Sequence, residues 1–235
     1  RMTDEAGFWR FMVGDHVWAA QYSLSSADQQ GIKDYTLGKY EGYPNKIRSA
    51  IGKLPGEVSS LSLFCLGLDG WDVTWLGELK NLTNLHLEHC KPLTQVSVLG
   101  ELKNLTYLSL EQCGSLDLSG VGELKNLTSL RLSSCNTLTD VSGLAGSNNL
   151  TSLKLIWCKS LTDVSTLGEL KNLIYLDFSM CESLTDVSAL GELKNLTSLN
   201  LSRCSSLTDV SALGELKNLT SLNLNKCDLT DVSAL

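Results

Sequence analysis

Eight cysteines carry the most reactive side chains of this 235-residue chain, since thiolates form disulfides and bind zinc. Seven of them recur at steps of 22 or 23 residues: Cys90, Cys113, Cys135, Cys158, Cys181, Cys204 and Cys227. A constant step would stack these side chains in one column, about 4.8 Å apart and roughly parallel, which disfavours the disulfide torsion. No Cys-x-x-Cys pair or zinc-type Cys/His spacing accompanies them. We therefore expect buried thiols that pack as small apolar groups.

A second candidate for chemistry is the cluster of His86, Glu88 and His89, because His86 and Glu88 would share one face of a strand. The sequence supplies no third ligand at a fixed spacing, so we expect no metal and no cofactor.

The sequence also lacks the common catalytic motifs: a Gly-x-Ser-x-Gly elbow, a phosphate-binding glycine loop and a His-Glu-x-x-His motif. We expect no catalytic residues and a protein that is not an enzyme.

The charge balance bears on the classes of partner. The formal net charge is −7 and no Lys/Arg cluster stands out, so the phosphate attraction that drives nucleic-acid binding has no evident source. The sequence contains no run of apolar residues long enough to span a bilayer. We expect neither nucleic-acid binding nor membrane insertion.

The elements that would position all these residues are repeats. The leucine that follows Asn recurs with a period of 23 residues, once shortened to 22: Leu82, Leu105, Leu127, Leu150, Leu173, Leu196 and Leu219. Each unit reads L-x-x-L-x-L-x-x-C, and its alternating leucines predict a short strand with one buried face. A degenerate first copy begins at Val58, so eight strands are expected.

This pattern resembles the leucine-rich repeat superfamily over residues 58–235. The segments LTDVSAL and LKNLTSLNL are most similar to internalin repeats, and the cysteine is similar to that of the cysteine-containing repeats of F-box proteins. The resemblance implies an α/β solenoid, a horseshoe with a parallel concave β-sheet and short 3₁₀, helical or irregular convex segments. A unit of this length can bury its leucines only against neighbouring units, which leads to the same fold.

The return path of each unit follows the cysteine. In the unit from Asp209 to Leu219, leucines spaced by three predict a 3₁₀ or helical turn, and Asp209 is placed to cap its first amides. Between about 114 and 149 we expect irregularity, because one unit loses a residue and its Thr-Asp pair, and Ala145 to Asn149 replace GELKN.

Asn-Leu-Thr triplets precede most strands and match the N-glycosylation sequon. We interpret their Asn as a bend residue, and on that ground favour a cytoplasmic or bacterial secreted or surface location over the eukaryotic secretory route.

Variation between units is concentrated at positions that face away from the leucines, whereas GEL, KNLT and LTDVS recur almost unchanged. This pattern is typical of a recognition surface on the open sheet face. The predicted partner-binding residues are Tyr107, Glu111, Arg131, Lys154, Ile156, Trp157, Tyr175, Asp177, Met180 and Arg203. Trp157 is the expected centre. Along the solenoid the charges begin with acidic Glu88 and Glu111 and continue with basic Arg131, Lys154, Arg203 and Lys226, interrupted by Asp177. The alternative is that Ile156 and Trp157 cover a local packing defect.

The two ends depart from the repeat. Residues 1–57 are predicted to form a mainly helical N-terminal cap, with helices from Ser26 to Tyr35 and from Pro44 to Leu54, or else an independent domain. No C-terminal cap is evident before Leu235, so end-to-end self-association through this edge is possible.

The function that these observations favour is a protein-protein interaction module that binds a protein on its concave face around Trp157. Internalin-like relatives imply adhesion or host-protein recognition. Two alternatives stay open: the substrate-recognition part of a larger enzyme or secreted effector, such as a ubiquitin-ligase component, and a structural, self-assembling solenoid.

Overall fold

The computed structural model describes residues 8–13, 16–23, 59–65, 74–88, 96–114, 116–233 and 235. In these residues ten strands form one sheet and lie side by side in sequence order. They are β1 (Phe8–Val13), β2 (His16–Ser23), β3 (Ser60–Cys65), β4 (Asn84–Glu88), β5 (Tyr107–Glu111), β6 (Ser129–Ser133), β7 (Ser152–Ile156), β8 (Tyr175–Asp177), β9 (Ser198–Asn200) and β10 (Ser221–Asn223). Strands β3 to β10 are parallel, whereas β1 and β2 form an antiparallel hairpin that pairs with β3.

The eight parallel strands, one for each unit, confirm the predicted solenoid and its horseshoe architecture. Short 3₁₀ helices return the chain between strands, as expected. In the described residues they are Thr74–Glu78, Val96–Glu101, Leu118–Glu123, Ser142–Leu144, Ser165–Glu169, Ser188–Glu192 and Ser211–Glu215. The core lies between the sheet and these helices, and in a central unit Leu196, Leu199, Leu201 and Cys204 are all buried.

The described part of the N-terminal segment is a β-hairpin rather than a helix. Val13 pairs with His16, so only Gly14 and Asp15 separate the two strands in the sequence, and Gly-Asp is a common hairpin dipeptide. Both helices predicted for this segment lie outside the described residues, so the mainly helical cap and the boundary at residue 57 remain predictions.

The length of each parallel strand depends on the type of side chain at its third residue. Strands β8 to β10 have three residues, whereas β4 to β7 have five. The short strands end at Asp177, Asn200 and Asn223, whose side-chain oxygens accept the N–H of the residue two positions later at 2.8 to 3.0 Å. This local bond competes with the sheet ladder. The longer strands carry other types there: His86, Ser109, Arg131 and Lys154.

Side-chain hydrogen bonds join each unit to the one before it. Asn195 Nδ2 donates to the Lys171 carbonyl at 2.9 Å, and the Thr197 hydroxyl donates to the Ile174 carbonyl at 3.2 Å. The same Asn bond recurs at Asn104, Asn126, Asn149, Asn172 and Asn218. These Asn residues therefore hold neighbouring units together, a more specific role than the predicted one in a bend.

Aspartates precede the 3₁₀ helices as predicted. Asp163 and Asp209 accept the N–H of Ser165 and Ser211 at 2.9 and 2.8 Å. These hydrogen bonds from Ser165 and Ser211 hold the pKa of each carboxyl below its ordinary value of 3.8. The prediction that the shortened unit loses this aspartate was wrong, because Asp117 binds the Ser119 N–H at 2.9 Å in the same way.

The second expected irregularity is confirmed. Where Ala145 to Asn149 replace GELKN, the 3₁₀ helix has only three residues and Gly146 has a φ of +86°. Elsewhere a lysine of one unit pairs with a glutamate of the next, as Lys171 does with Glu192 at 3.1 Å. Lys125 has no such glutamate opposite it and instead donates to the Gly146 carbonyl at 3.3 Å.

The glycine of the GEL segment allows successive 3₁₀ helices to approach closely. A Cβ on Gly191 would lie 2.8 Å from the carbonyl oxygen of Ala212 in the next unit, closer than a carbon and a backbone oxygen tolerate. Relief of this contact would require the two units to move apart.

We predict that Gly191→Ala lowers the free energy of unfolding by about 1–3 kcal/mol, the usual cost of inserting a methyl group into a packed site. Ser188→Ala in the same 3₁₀ helix is the control, since this side chain is exposed and its replacement inserts nothing between the units. Urea denaturation followed by circular dichroism measures both. Equal stability of the two variants would contradict the steric argument.

The aspartate caps predict an acid-sensitive fold. Because the folded state lowers the pKa of Asp163 and Asp209, their stabilisation is complete above the unfolded pKa of about 4 and is lost as pH falls through the folded pKa. Asn accepts the same N–H bond but does not titrate. The urea midpoint of Asp163→Asn/Asp209→Asn should therefore fall less than that of the wild type between about pH 6 and about pH 3. Parallel pH profiles would refute this origin.

Candidate functional site

The exposed face of the sheet carries the residues that alternate with the core leucines. In β7, Leu153 and Leu155 are buried, whereas Ser152, Lys154 and Ile156 project from the opposite face. Parallel pairing aligns equivalent positions of successive strands, so Arg131 lies opposite Lys154 and Ser152 opposite Tyr175. Seven predicted site residues share this face: Tyr107, Glu111, Arg131, Lys154, Ile156, Tyr175 and Asp177.

The other three, Trp157, Met180 and Arg203, lie on a rim just beyond the ends of the strands. This rim is a column of residues with left-handed backbone, φ between 51° and 64°: Gln112, Ser134, Trp157, Met180, Arg203 and Lys226. Such a conformation costs a non-glycine residue roughly 1–2 kcal/mol. Its cause is structural, since in every rim residue except Lys226 the N–H donates to a carbonyl of the next unit, as in the 2.8 Å bond from Trp157 N to the Ser179 carbonyl.

Trp157 projects from this rim with 47% of its surface exposed, among the largest exposures of a large apolar residue in the described residues. The ammonium of Lys159 lies 5.9 Å from the centre of its ring, within cation-π range. Glu182 in turn holds Lys159 at 3.0 Å. The Lys159 ammonium therefore lies against the indole, while about half of the Trp157 surface stays open to solvent.

An apolar patch surrounds this indole. Ile156, half-buried, precedes it at the end of β7, and Met180 occupies the next rim position. Tyr107 does not join them, because Ser129 and Ser152 separate it from Tyr175 along the sheet. Three strand spacings place the two tyrosines roughly 14 Å apart. The predicted apolar centre is thus confined to β7, β8 and their rim.

Tyr175 and Asp177 are bound to each other. The Tyr175 hydroxyl donates to Asp177 Oδ2 at 3.2 Å, and burial, followed by the negative charge of Asp177, raises the pKa of Tyr175. The other carboxylate oxygen accepts the Ser179 N–H at 2.8 Å, and Asp177 is only 6% exposed. The Asp177 carboxylate is therefore hydrogen-bonded within the protein, and its predicted contact with a partner remains a prediction.

Positive charge lies beside this pair. The Lys154 ammonium lies 5.1 Å from the centre of the Tyr175 ring, and Lys154 pairs in register with Arg131 on β6. Acidic groups lie at the opposite end of the face, where Glu88 contacts His86 at 3.6 Å and Glu111 follows on β5. The predicted order of charge, acidic before basic along the sheet, is present.

The described repeated cysteines are mostly buried thiols of low reactivity. The cysteines with described side chains, Cys113, Cys135, Cys158, Cys181, Cys204 and Cys227, are free thiols. Cys204 Sγ donates to the Phe178 carbonyl at 3.2 Å, and burial raises the pKa of this thiol to about 12. A protonated, buried thiol is a poor nucleophile. The expected apolar packing is therefore joined by a hydrogen bond to the preceding unit.

The described residues meet neither the requirements of a metal site nor those of a membrane-spanning helix. No group of three or more His, Cys, Asp or Glu that could hold a metal ion occurs among the described residues, and His89 lies outside them. No helix in the part of the chain that the structure describes has the length and apolar character to cross a membrane.

Sequence reasoning missed two contributors to the Trp157 environment, Lys159 and Glu182. Both lie just after the repeated cysteine of their units, outside the columns that vary on the sheet face. It also missed Ile174, which stands where other units have Thr and is 47% exposed. The change of Asn-Leu-Thr to Asn-Leu-Ile was the available signal. Ile174 immediately precedes β8, at the opposite end of the strands from Trp157.

Family models match parts of the repeat region. A model described as "Leucine Rich repeats (2 copies)" matches residues 171–215, and a "Leucine Rich repeat" model matches residues 123–145 and 215–235. No curated protein sequence matches the chain significantly.

Solved structures are similar over most of the chain. An internalin of Listeria monocytogenes has a TM-score of 0.55 and 23% identity, covering 82% of this chain and 71% of its own. Internalin C2 of the same organism has a TM-score of 0.57 and 26% identity, covering 80% and 78%. The PEPR1–AtPEP1 structure has a TM-score of 0.51 and 23% identity over 67% of this chain and 23% of that one.

The left-handed backbone at Trp157 predicts an unusual response to mutation. Trp157→Asn should leave the free energy of unfolding unchanged within about 1 kcal/mol, because Asn tolerates this conformation and the indole is exposed. Trp157→Val should be less stable than Trp157→Asn by about 1–2 kcal/mol, since a branched Cβ is disfavoured there. Urea denaturation compares them. A loss above about 2 kcal/mol in Trp157→Asn would instead show that the indole covers a packing defect.

Proposed function

Because this chain is a leucine-rich repeat protein with internalin-like repeats, we propose that it is a non-enzymatic protein-binding module. The binding surface comprises the concave sheet face at β6 to β8 and the adjoining rim at Trp157. Ile156, Trp157 and Met180 form its apolar part, and Arg131 and Lys154 form its charged part. The Tyr175 ring positions Lys154, whose ammonium lies over it.

The observation that carries this proposal is the exposed indole of Trp157. Its left-handed backbone does not require a Trp, since five other residue types occupy the equivalent position. Trp is among the residue types that most often dominate binding energy at protein interfaces. Burial of its exposed surface by a partner would be favourable, and Lys159 already restricts its orientation, which reduces the entropic cost of binding.

The arrangement of constant and variable residues supports the same surface. The Asn, Thr and Cys ladders and the Lys–Glu pairs occupy the repeated positions, and each has an evident structural partner. The rim position has a different side chain in every described unit, and the face positions also vary, although Ser recurs at several of them, while the rim backbone stays the same. Structural need therefore does not account for their diversity.

Solved relatives of this fold are compatible with such a role. The PEPR1–AtPEP1 structure is named for two components, one of them a chain with this fold. The predicted alternatives, recognition of substrate for a larger enzyme and end-to-end self-association, remain predictions. The first of them would use the same concave surface.

Affinity capture tests this proposal. The chain is immobilised as wild type and as Ile156→Thr/Trp157→Asn, and proteins retained from the source organism or its host are quantified by mass spectrometry. Specific partners should fall at least about tenfold on the variant, which corresponds to roughly 1.4 kcal/mol of lost affinity. Both substitutions suit their backbone positions, so circular dichroism should show an unchanged fold.

Ile174→Thr is the matched control. It removes an apolar side chain of the same 47% exposure at the opposite end of the strands and restores the residue that other units carry. This variant should retain the partners that Ile156→Thr/Trp157→Asn loses. Equal capture by all three forms would show that the partner binds another surface.

A further inference from the structure

We infer that Arg131 and Lys154 form a binding site for an anionic side chain, a carboxylate or a phosphate, of the protein partner. This inference rests on the proposed function and adds the chemical class of the partner's central contact. Two cations stand side by side at the middle of the described sheet, and neither forms an ion pair with a described residue.

The two cations are held together by the sheet. Arg131 of β6 and Lys154 of β7 are register partners, so their backbones are roughly 4.8 Å apart and their side chains leave the same face. Like charges directly opposite on neighbouring strands repel each other. Other units carry neutral or acidic residues at this position, for example Ser109 and Asp177. The pair therefore has a cost to the fold that a bound anion would remove.

No acidic side chain of the described residues forms an ion pair with Arg131 or Lys154. Asp177 is the register partner of Lys154, yet its two oxygens are taken by the Tyr175 hydroxyl and the Ser179 N–H. The Lys154 ammonium rests over the Tyr175 ring instead. The Arg131 side chain has no hydrogen bond or ion pair with any residue that the structure describes. Its guanidinium donors are thus left for a ligand.

A buried hydroxyl beside the pair points the same way. Ser109 is the register partner of Arg131 on the other side, and it is 0% exposed although it belongs to the open face. Its Oγ has no hydrogen-bond partner among the described residues. A buried polar atom without a partner is rare in folded proteins and often marks a site for water or an ion. Ser129, Ser133 and Ser152 surround the pair with further small polar side chains.

The donor set fits a planar or tetrahedral oxyanion. The guanidinium offers parallel N–H donors that match two oxygens of a carboxylate or phosphate, and the ammonium adds a second charge. Ser129 and Ser152 are small and partly exposed, so they leave room above the sheet for the ligand. Lys154 and Ile156 are two residues apart on one strand, about 7 Å, so an extended partner would present its anionic and apolar residues within three positions of each other.

Selection from a random peptide display library on the wild-type chain tests this inference without a known partner. Enriched peptides should contain Asp or Glu within three positions of a large apolar residue, and their binding should weaken as salt is raised. Each peptide is then measured on Arg131→Gln/Lys154→Gln, where affinity should fall at least about tenfold. The matched control is Lys103→Gln/Lys171→Gln, which makes the same change in net charge on the return segments and should bind within about twofold of the wild type.

Synthetic versions of one enriched peptide separate the two sources of negative charge. Its acidic residue is replaced by Asn or Gln in one version and by phosphoserine in another. Loss of binding by the amide version supports the inference, and the tighter of the acidic and phosphorylated versions identifies the natural anion as carboxylate or phosphate. An amide version that binds as well as the parent overturns it.

The remaining outcomes keep this inference separate from the proposed function. Peptides that bind Arg131→Gln/Lys154→Gln normally but are lost on Ile156→Thr/Trp157→Asn overturn the anion site and leave the proposed surface standing. Peptides unaffected by both variants count against the anion site and the proposed surface together. Failure to enrich any peptide counts against the anion site, while affinity capture tests the protein-binding surface independently.

Discussion

No unit of this chain can bury its own leucines. Each contributes one strand and one short 3₁₀ helix, and the apolar side chains between them are covered only when the units before and after are in place. The contact between successive units therefore governs every other feature. It explains the closely packed glycines, as at Gly191, and the Asn, Thr and Cys side chains whose donors all reach a carbonyl of the preceding unit.

This dependence also divides the chain into positions that are fixed and positions that are free. Residues that point inward or toward a neighbouring unit must keep their type, because a change propagates to two interfaces. Residues of the rim, and those of the sheet face apart from Ser109, Ser133 and Asp177, are partly or fully exposed, so their type is less constrained. The left-handed rim is a partial exception, since its six described members have a strained backbone, and the N–H groups of the first five donate to a carbonyl of the next unit.

The parts of the fold that were predictable from the sequence depend on repeated residue types. The period, the eight parallel strands, the capping aspartates and the buried cysteines all follow from such repetition. The rim conformation was not predictable, because Gln, Ser, Trp, Met, Arg and Lys carry no common signal for positive φ, and the geometry of the repeat imposes it. The occupation of Asp177 by Tyr175 and Ser179 arises from single-unit changes that a repeat pattern cannot reveal. The hairpin of β1 and β2 was missed because the aromatic residues of β1 lack a clear alternation.

The three side-chain ladders have a direction. Asn195, Thr197 and Cys204 each donate to an acceptor that lies earlier in the chain, by 24, 23 and 26 residues. A ribosome releases the chain in that same order, so when a new unit emerges, its carbonyl acceptors already belong to a formed surface. Folding during synthesis then needs no long-range search, because each unit has only to dock on the one made just before it. The orientation of these bonds thus suits the solenoid to assembly from its first unit to its last at the pace of translation.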